Sequence, residues 1–222
     1  MTSLTASMPN GAPDAPTAPP FDDAAQERQA ATLGMWIFLT TETLFFGALF
    51  FGYAIARTNF PHAFAAASRH TNIVLGTLNT AVLLTSSFFM ALAVRAAGHR
   101  AHQTAARFLI VTALLGVVFA AIKLSEYALD YREHLVPVID FAFSADDAKG
   151  AELFFWLYFT ATGLHLIHLS IGIAIVTVFA WLSHRAQTPN LDGKIEIAGL
   201  YWHFVDLVWI FLYPLLYLVS RA

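Results

Sequence analysis

The chain has no cysteine. Disulfides, thiolate metal sites and cysteine nucleophiles are therefore excluded. It is also poor in charge. Only 12% of its 222 residues are Asp, Glu, Lys or Arg, about half the share of an ordinary soluble domain. A net charge of −3 leaves no electrostatic footprint for nucleic acid. The phosphate loop, the GxSxG elbow and the HExxH helix are all missing. No alternating strand pattern and no internal repeat is found. The first thirty residues lack an apolar run and a basic n-region, which reads against a secretory signal. They carry Pro9, Pro13, Pro16, Pro19 and Pro20 among small and polar residues, and residues 1–30 read as a disordered Pro/Ala-rich tail.

What the chain has in quantity is apolar surface: 58% of its residues are hydrophobic. Five runs are each long enough to cross a hydrocarbon core of about 30 Å. They cover residues 33–56, 73–94, 105–129, 153–182 and 195–219. The connections between them are too short to be domains. The fold class expected is all-α and integral to the membrane: five transmembrane helices in one bundle over residues 31–222. Five crossings put the termini on opposite sides. With the N-terminus inside, the inner segments hold Arg28, Arg95, Arg100, Arg107, Arg185 and Lys194, and the outer ones Arg57, Arg69, Arg132, Lys149 and Arg221. That distribution leans towards a cytoplasmic N-terminus.

Ionisable groups inside such runs are costly and mark sites. Glu42 is the most conspicuous, at mid-span in LTTETLFF. It is either a protonatable group beside a proton path or lipid head group, or a neutral acid bonded to a neighbouring helix. Asn79 sits among Thr80, Thr85, Ser86 and Ser87, a composition suited to helix–helix contact. Lys123, Glu126 and Tyr127 lie together in KLSEYALD. They read as a self-paired interfacial cluster with Lys123 snorkelling, or as a charged latch to another helix. His165 and His168 share a stripe with Thr162 and Gly172. A metal site made by these two with His203 is the minor alternative to an interhelical hydrogen-bonded contact. In the last run Glu196, His203 and Asp206 share a face, with Trp202 and Trp209 beside it. With no nucleophile motif to serve a His–Asp dyad, that face reads as a buried polar seam, with the histidines of the fourth run as candidate partners.

Five motifs in order then carry a resemblance. They are TETLFF around Glu42, LNTAVLLTSS at 78–87, SEY at 125–127, ATGLHLIHLSIG at 161–172 and YWHFVDLVWIFLY at 201–213. From about Leu33 onward the chain resembles subunit III of the haem–copper respiratory oxidases, in the five-helix bacterial form that lacks the first two helices of longer members. The resemblance implies no catalytic residue and no metal or haem in this chain. Haem and copper are expected in the partner catalytic subunit, which reduces oxygen to water while pumping protons in aerobic respiratory electron transport. Further oxidase subunits are expected as partners too. The role implied for this subunit is to support assembly and proton uptake and to hold phospholipid. Glu42 matches the family's carbodiimide-reactive carboxyl. The location implied is a bacterial cytoplasmic (inner) membrane, with the N-terminus cytoplasmic and the C-terminus periplasmic. The electron donor, cytochrome c or quinol, stays open. Two rivals remain: an accessory protein of nitric oxide reduction from the same superfamily, and a proton-coupled transporter using Glu42, Glu126, His203 and Asp206.

Overall fold

The computed structural model describes residues 24–137, 140–141, 148–185 and 191–218. Helix α1 spans Ala24–Asn59, α2 Pro61–Ser68, α3 Ile73–Gly98, α4 His102–Arg132, α5 Ala148–Arg185 and α6 Leu191–Tyr213. A π-helical turn, Pro214–Leu218, follows α6. Five helices, all but α2, are long and apolar enough to cross a membrane. At 1.5 Å per residue the longest, α5 with 38 residues, runs about 57 Å. Its ends therefore extend well past a hydrocarbon core.

Three features depart from the reading of the sequence. Helix α1 begins at Ala24, inside the stretch read as tail; residues 1–23 lie outside the described residues. The first connection contains α2, started by Pro61 at its first turn, where a missing N–H costs nothing. The third connection holds a short antiparallel ladder, with Leu135 opposite Phe141 and Val136 opposite Asp140. Two paired residues per strand are too few to leave an alternating pattern.

Helix α6 is the axis of the bundle. In its apolar stretch 61% of the residues are buried, against 11% in that of α1. The most extensive contacts are α3 with α4, then α4 with α5 and α3 with α6, while α1 docks at the edge on α5 and α6. Small residues allow the close crossings. A Cβ on Gly116 would stand 2.8 Å from the Trp202 ring, and one on Gly76 2.9 Å from Tyr217. Helix α3 is started by Asn72, whose side chain accepts from the backbone N–H of Val74 and Leu75 at 3.1 and 3.2 Å, as an N-cap should. Pro214 ends the α-helical ladder of α6, because it has no N–H to donate. The π turn it opens carries Tyr217 back into the core, where it is fully buried.

Candidate functional site

Glu42 lies at the middle of α1 and meets His168 of α5, Oε2 to Nε2 at 3.1 Å. The two side chains are 19% and 15% exposed, so the carboxyl is mostly covered by protein. The His168 Nδ1 lies 2.9 Å from the Leu164 carbonyl. A carbonyl only accepts, so Nδ1 carries its hydrogen and donates. Nε2 is then left as the acceptor of a neutral ring. The pair consequently holds one shared proton, either as carboxylic acid donating to imidazole or as carboxylate accepting from imidazolium. Both forms are neutral overall, which a mid-span position requires. Tyr201 donates to the His168 carbonyl at 2.9 Å, and Phe46 packs edge-on against the imidazole at 5.4 Å. A groove of about 640 Å³ opens beside the pair, between α1 and the α5–α6 face. Its walls include Met35, Phe38, Ile171, Ile175 and Phe179, with Lys194 also on its lining.

A second cluster is buried. Lys123 of α4 is 0% exposed and Glu126 1%. The ammonium donates to Glu126 Oε2 at 3.0 Å and to the hydroxyls of Tyr158 and Tyr217 at 2.7 Å each. Each tyrosine passes the interaction on. Tyr217 donates to Glu126 at 2.8 and 3.0 Å, and Tyr158 to Asp130 at 3.3 Å. The ammonium also stands 4.4 Å from the Tyr158 ring centroid, within cation–π range. Snorkelling is therefore ruled out: Lys123 points inward and ties α4 to α5 and to the C-terminal turn. Of the two readings weighed, the latch is the one the side chains form. Tyr127, on the next face of α4, bonds Thr162 of α5 at 2.6 Å.

His203 and its polar neighbours on α6 do not hydrogen-bond the α5 imidazoles as expected. They meet α3. Tyr213 and Thr77 hydroxyls lie 2.6 Å apart. Trp209 Nε1 donates to Thr80 at 3.0 Å, and Trp202 Nε1 to Ser86 at 3.2 Å. The ring of His203 bonds the Ser87 hydroxyl at 2.7 Å. From Thr77–Tyr213 through Thr80–Trp209 to the adjacent pairs Ser86–Trp202 and Ser87–His203, numbers climb along α3 while they descend along α6, so the rungs form an antiparallel zipper. The expected α5–α6 seam is thus corrected to an α3–α6 seam. The reason is that the short hydroxyls of α3 let the large α6 side chains approach, while His168 is taken by Glu42 and His165 meets α6 only by ring contact with Trp209. His168 holds Glu42. His165 is buried between aromatic rings, 5.5 Å from Phe119 and 5.1 Å from Trp209.

Glu196 is corrected as well. It is not in a seam but exposed, paired with Arg28 at 2.7 Å with both side chains more than half exposed. Asp206 is buried on α6. Among the described residues neither of its oxygens has a hydrogen-bond partner. Asn79 is 0% exposed, with neither amide atom partnered among the described residues. The three span histidines point to different partners. Among the described residues no three of His, Cys, Asp or Glu gather as metal ligands would. Tyr158, Tyr217 and Asp130 are the members that sequence reasoning missed as site residues. Tyr217 is 91 residues from Glu126, and no local spacing could connect them.

Comparison with known proteins adds the following. The family described as "Cytochrome c oxidase subunit III" matches residues 22–221. The "Probable quinol oxidase subunit 3" of Staphylococcus haemolyticus is 29% identical over 202 residues, 90% of this chain and 94% of that protein. The "Cytochrome c oxidase subunit 3" of Thermostichus vulcanus is 28% identical over 208 residues, 92% of this chain and 95% of that one.

Proposed function

We infer the function from one premise: this chain belongs to the cytochrome c oxidase subunit III family, matched over residues 22–221. It is a multi-pass membrane protein and a non-catalytic subunit III of a haem–copper oxidase. Its place is in a complex with other oxidase subunits. The finer assignments that follow are our reading. The partner is the catalytic subunit carrying haem and copper, in a bacterial inner membrane, with the N-terminus on the cytoplasmic side. The bundle supports assembly of that subunit, holds phospholipid and assists its proton uptake.

The observation that carries the proton-related part is the Glu42–His168 pair, one proton shared between two groups at mid-span beside an open apolar groove. Such a pair can change which atom holds the proton without creating net charge. It can therefore sit against acyl chains at low cost, where a lone carboxylate costs several kcal/mol. A phospholipid chain in the groove would cover Glu42 and keep water from it. The Tyr201 hydrogen bond to the His168 carbonyl and the Phe46 contact fix the imidazole in place.

The test uses the whole oxidase complex carrying Glu42→Gln or His168→Leu. Both variants are expected to assemble with an unchanged haem spectrum, to slow proton uptake during turnover and to shorten the active lifetime. Glu42→Gln should also abolish carbodiimide labelling of this chain. Unaltered uptake and lifetime in both variants would overturn the assignment of this pair.

A further inference from the structure

Helix α5 has a groove on each side. The groove at Glu42 takes Ile171, Ile175 and Phe179 of α5. A second, of about 580 Å³, takes Ile173, Thr177, Ala180, Trp181, His184 and Arg185. At 100° per residue these two sets lie on opposite faces. The second groove is closed on its far side by Ile110, Ala113, Leu114 and Val117 of α4. Its size falls in the range of small-molecule sites.

The wall is apolar along most of its length. Thr177 adds no free donor, because its hydroxyl donates to the Ile173 carbonyl at 2.7 Å. Ala113 and Ala180 are small, and their size leaves the trough between the two helices. Polar groups collect at one end only. There Trp181 is 54% exposed, and the Arg185 guanidinium stacks on its ring at 3.9 Å. His184 is exposed beside it. Among the described residues Arg185 has no ion pair or hydrogen bond, its contact being the Trp181 ring. Arg107 of α4, also exposed, precedes Ile110 and Leu114 by three and seven residues, so it shares their face and stands at the same end. Trp with Arg at the end of an apolar trough is what a membrane–water interface selects.

We propose that the α4–α5 groove binds an anionic phospholipid. Its acyl chain lies along Ile110, Leu114, Val117 and Ile173, and its phosphate is held by Arg185 with Arg107 as a second cation. The charge of the end and the length of the apolar wall together select this ligand. A soluble anion would use the first and leave the second bare; a lipid without phosphate would leave Arg185 unpaired, and a zwitterionic one would bring its own cation beside Arg185 and Arg107. Stacking on Trp181 pre-orients the guanidinium, whose planar fork suits a phosphate. The site is separate from the Glu42 groove and does not rest on any role for it.

The experiment uses the oxidase complex released from mixed phosphatidylglycerol and phosphatidylcholine vesicles, with retained lipid counted by native mass spectrometry. Arg185→Gln is expected to lose one bound phosphatidylglycerol and to lower the preference for that lipid at this site about fivefold, the worth of one cation near a membrane surface. Arg185→Lys should keep most of it. Ala180→Phe, which fills the trough, should lose the lipid whatever its head group. Lys194→Gln, at the other groove, should leave this lipid in place. Because Arg185 is exposed, its variants fold. Full retention of phosphatidylglycerol in Arg185→Gln would overturn the proposal, and so would displacement of the lipid by excess inorganic phosphate.

Discussion

Replacing Lys123 by Met removes the cation from a cluster that also holds Glu126 and Asp130. Lys123 is 0% exposed, Glu126 1% and Asp130 6%. The side chains are close in volume, so packing changes little and the loss is electrostatic. Three hydrogen bonds from the ammonium disappear, at 3.0, 2.7 and 2.7 Å. Bonds to a charged group contribute about 1.5–3 kcal/mol each, but they share one donor and are not additive. The better guide is the cost of leaving a buried charge uncompensated, about 3–5 kcal/mol. Tyr217 and Tyr158 would still donate to the two carboxyls, which places the expected loss at the lower half of that range. The assay is a denaturing-detergent titration of the purified complex or of this chain, read by loss of helicity. A double change, Lys123→Met with Glu126→Gln, removes both partners and should recover more than half of the loss. A single variant as stable as the parent would refute the reasoning. So would a double variant whose loss equals the sum of the two singles, because that would show no interaction between Lys123 and Glu126.

Gly116→Val should destabilise the bundle by about 1–3 kcal/mol, because a Cβ there meets the Trp202 ring at 2.8 Å; the same titration measures it. Trp209→Phe replaces the buried indole by a smaller ring and loses the N–H bonded to Thr80, and should cost about 2–3 kcal/mol, cavity and hydrogen bond together, with Thr80→Val adding little on top. Asn72→Ala removes the N-cap of α3, with an expected loss of about 1 kcal/mol and faster amide exchange at Val74 and Leu75.

The number of crossings and their centres were legible because a run of about twenty apolar residues has few alternatives to spanning a bilayer. The sites were legible one by one, since Glu42, Lys123 and His203 are each anomalous in an apolar run. Their partners were not. Glu42 pairs with His168 across 126 residues, and His203 with Ser87 across 116. Helical periodicity assigns a residue to a face of its own helix but not to the helix opposite. The assumption that His203 and Asp206 would bond the α5 histidines failed for this reason. Tyr217 was invisible for another. It follows Pro214, where the helical register changes into a π turn, so its direction could not be projected from α6. Glu196 was misplaced because it shares a helical stripe with His203 yet lies near the start of α6, where the stripe has left the core.

The central claim is that this chain is a subunit III beside a catalytic haem–copper subunit. Affinity purification of the tagged full-length chain in mild detergent, followed by an optical spectrum and metal analysis, tests it most directly. The result expected is co-purification of a haem- and copper-bearing subunit, with all haem and copper remaining with that subunit when the two are separated. Stoichiometric haem or copper on this chain alone would contradict the account, as would recovery with no haem protein at all.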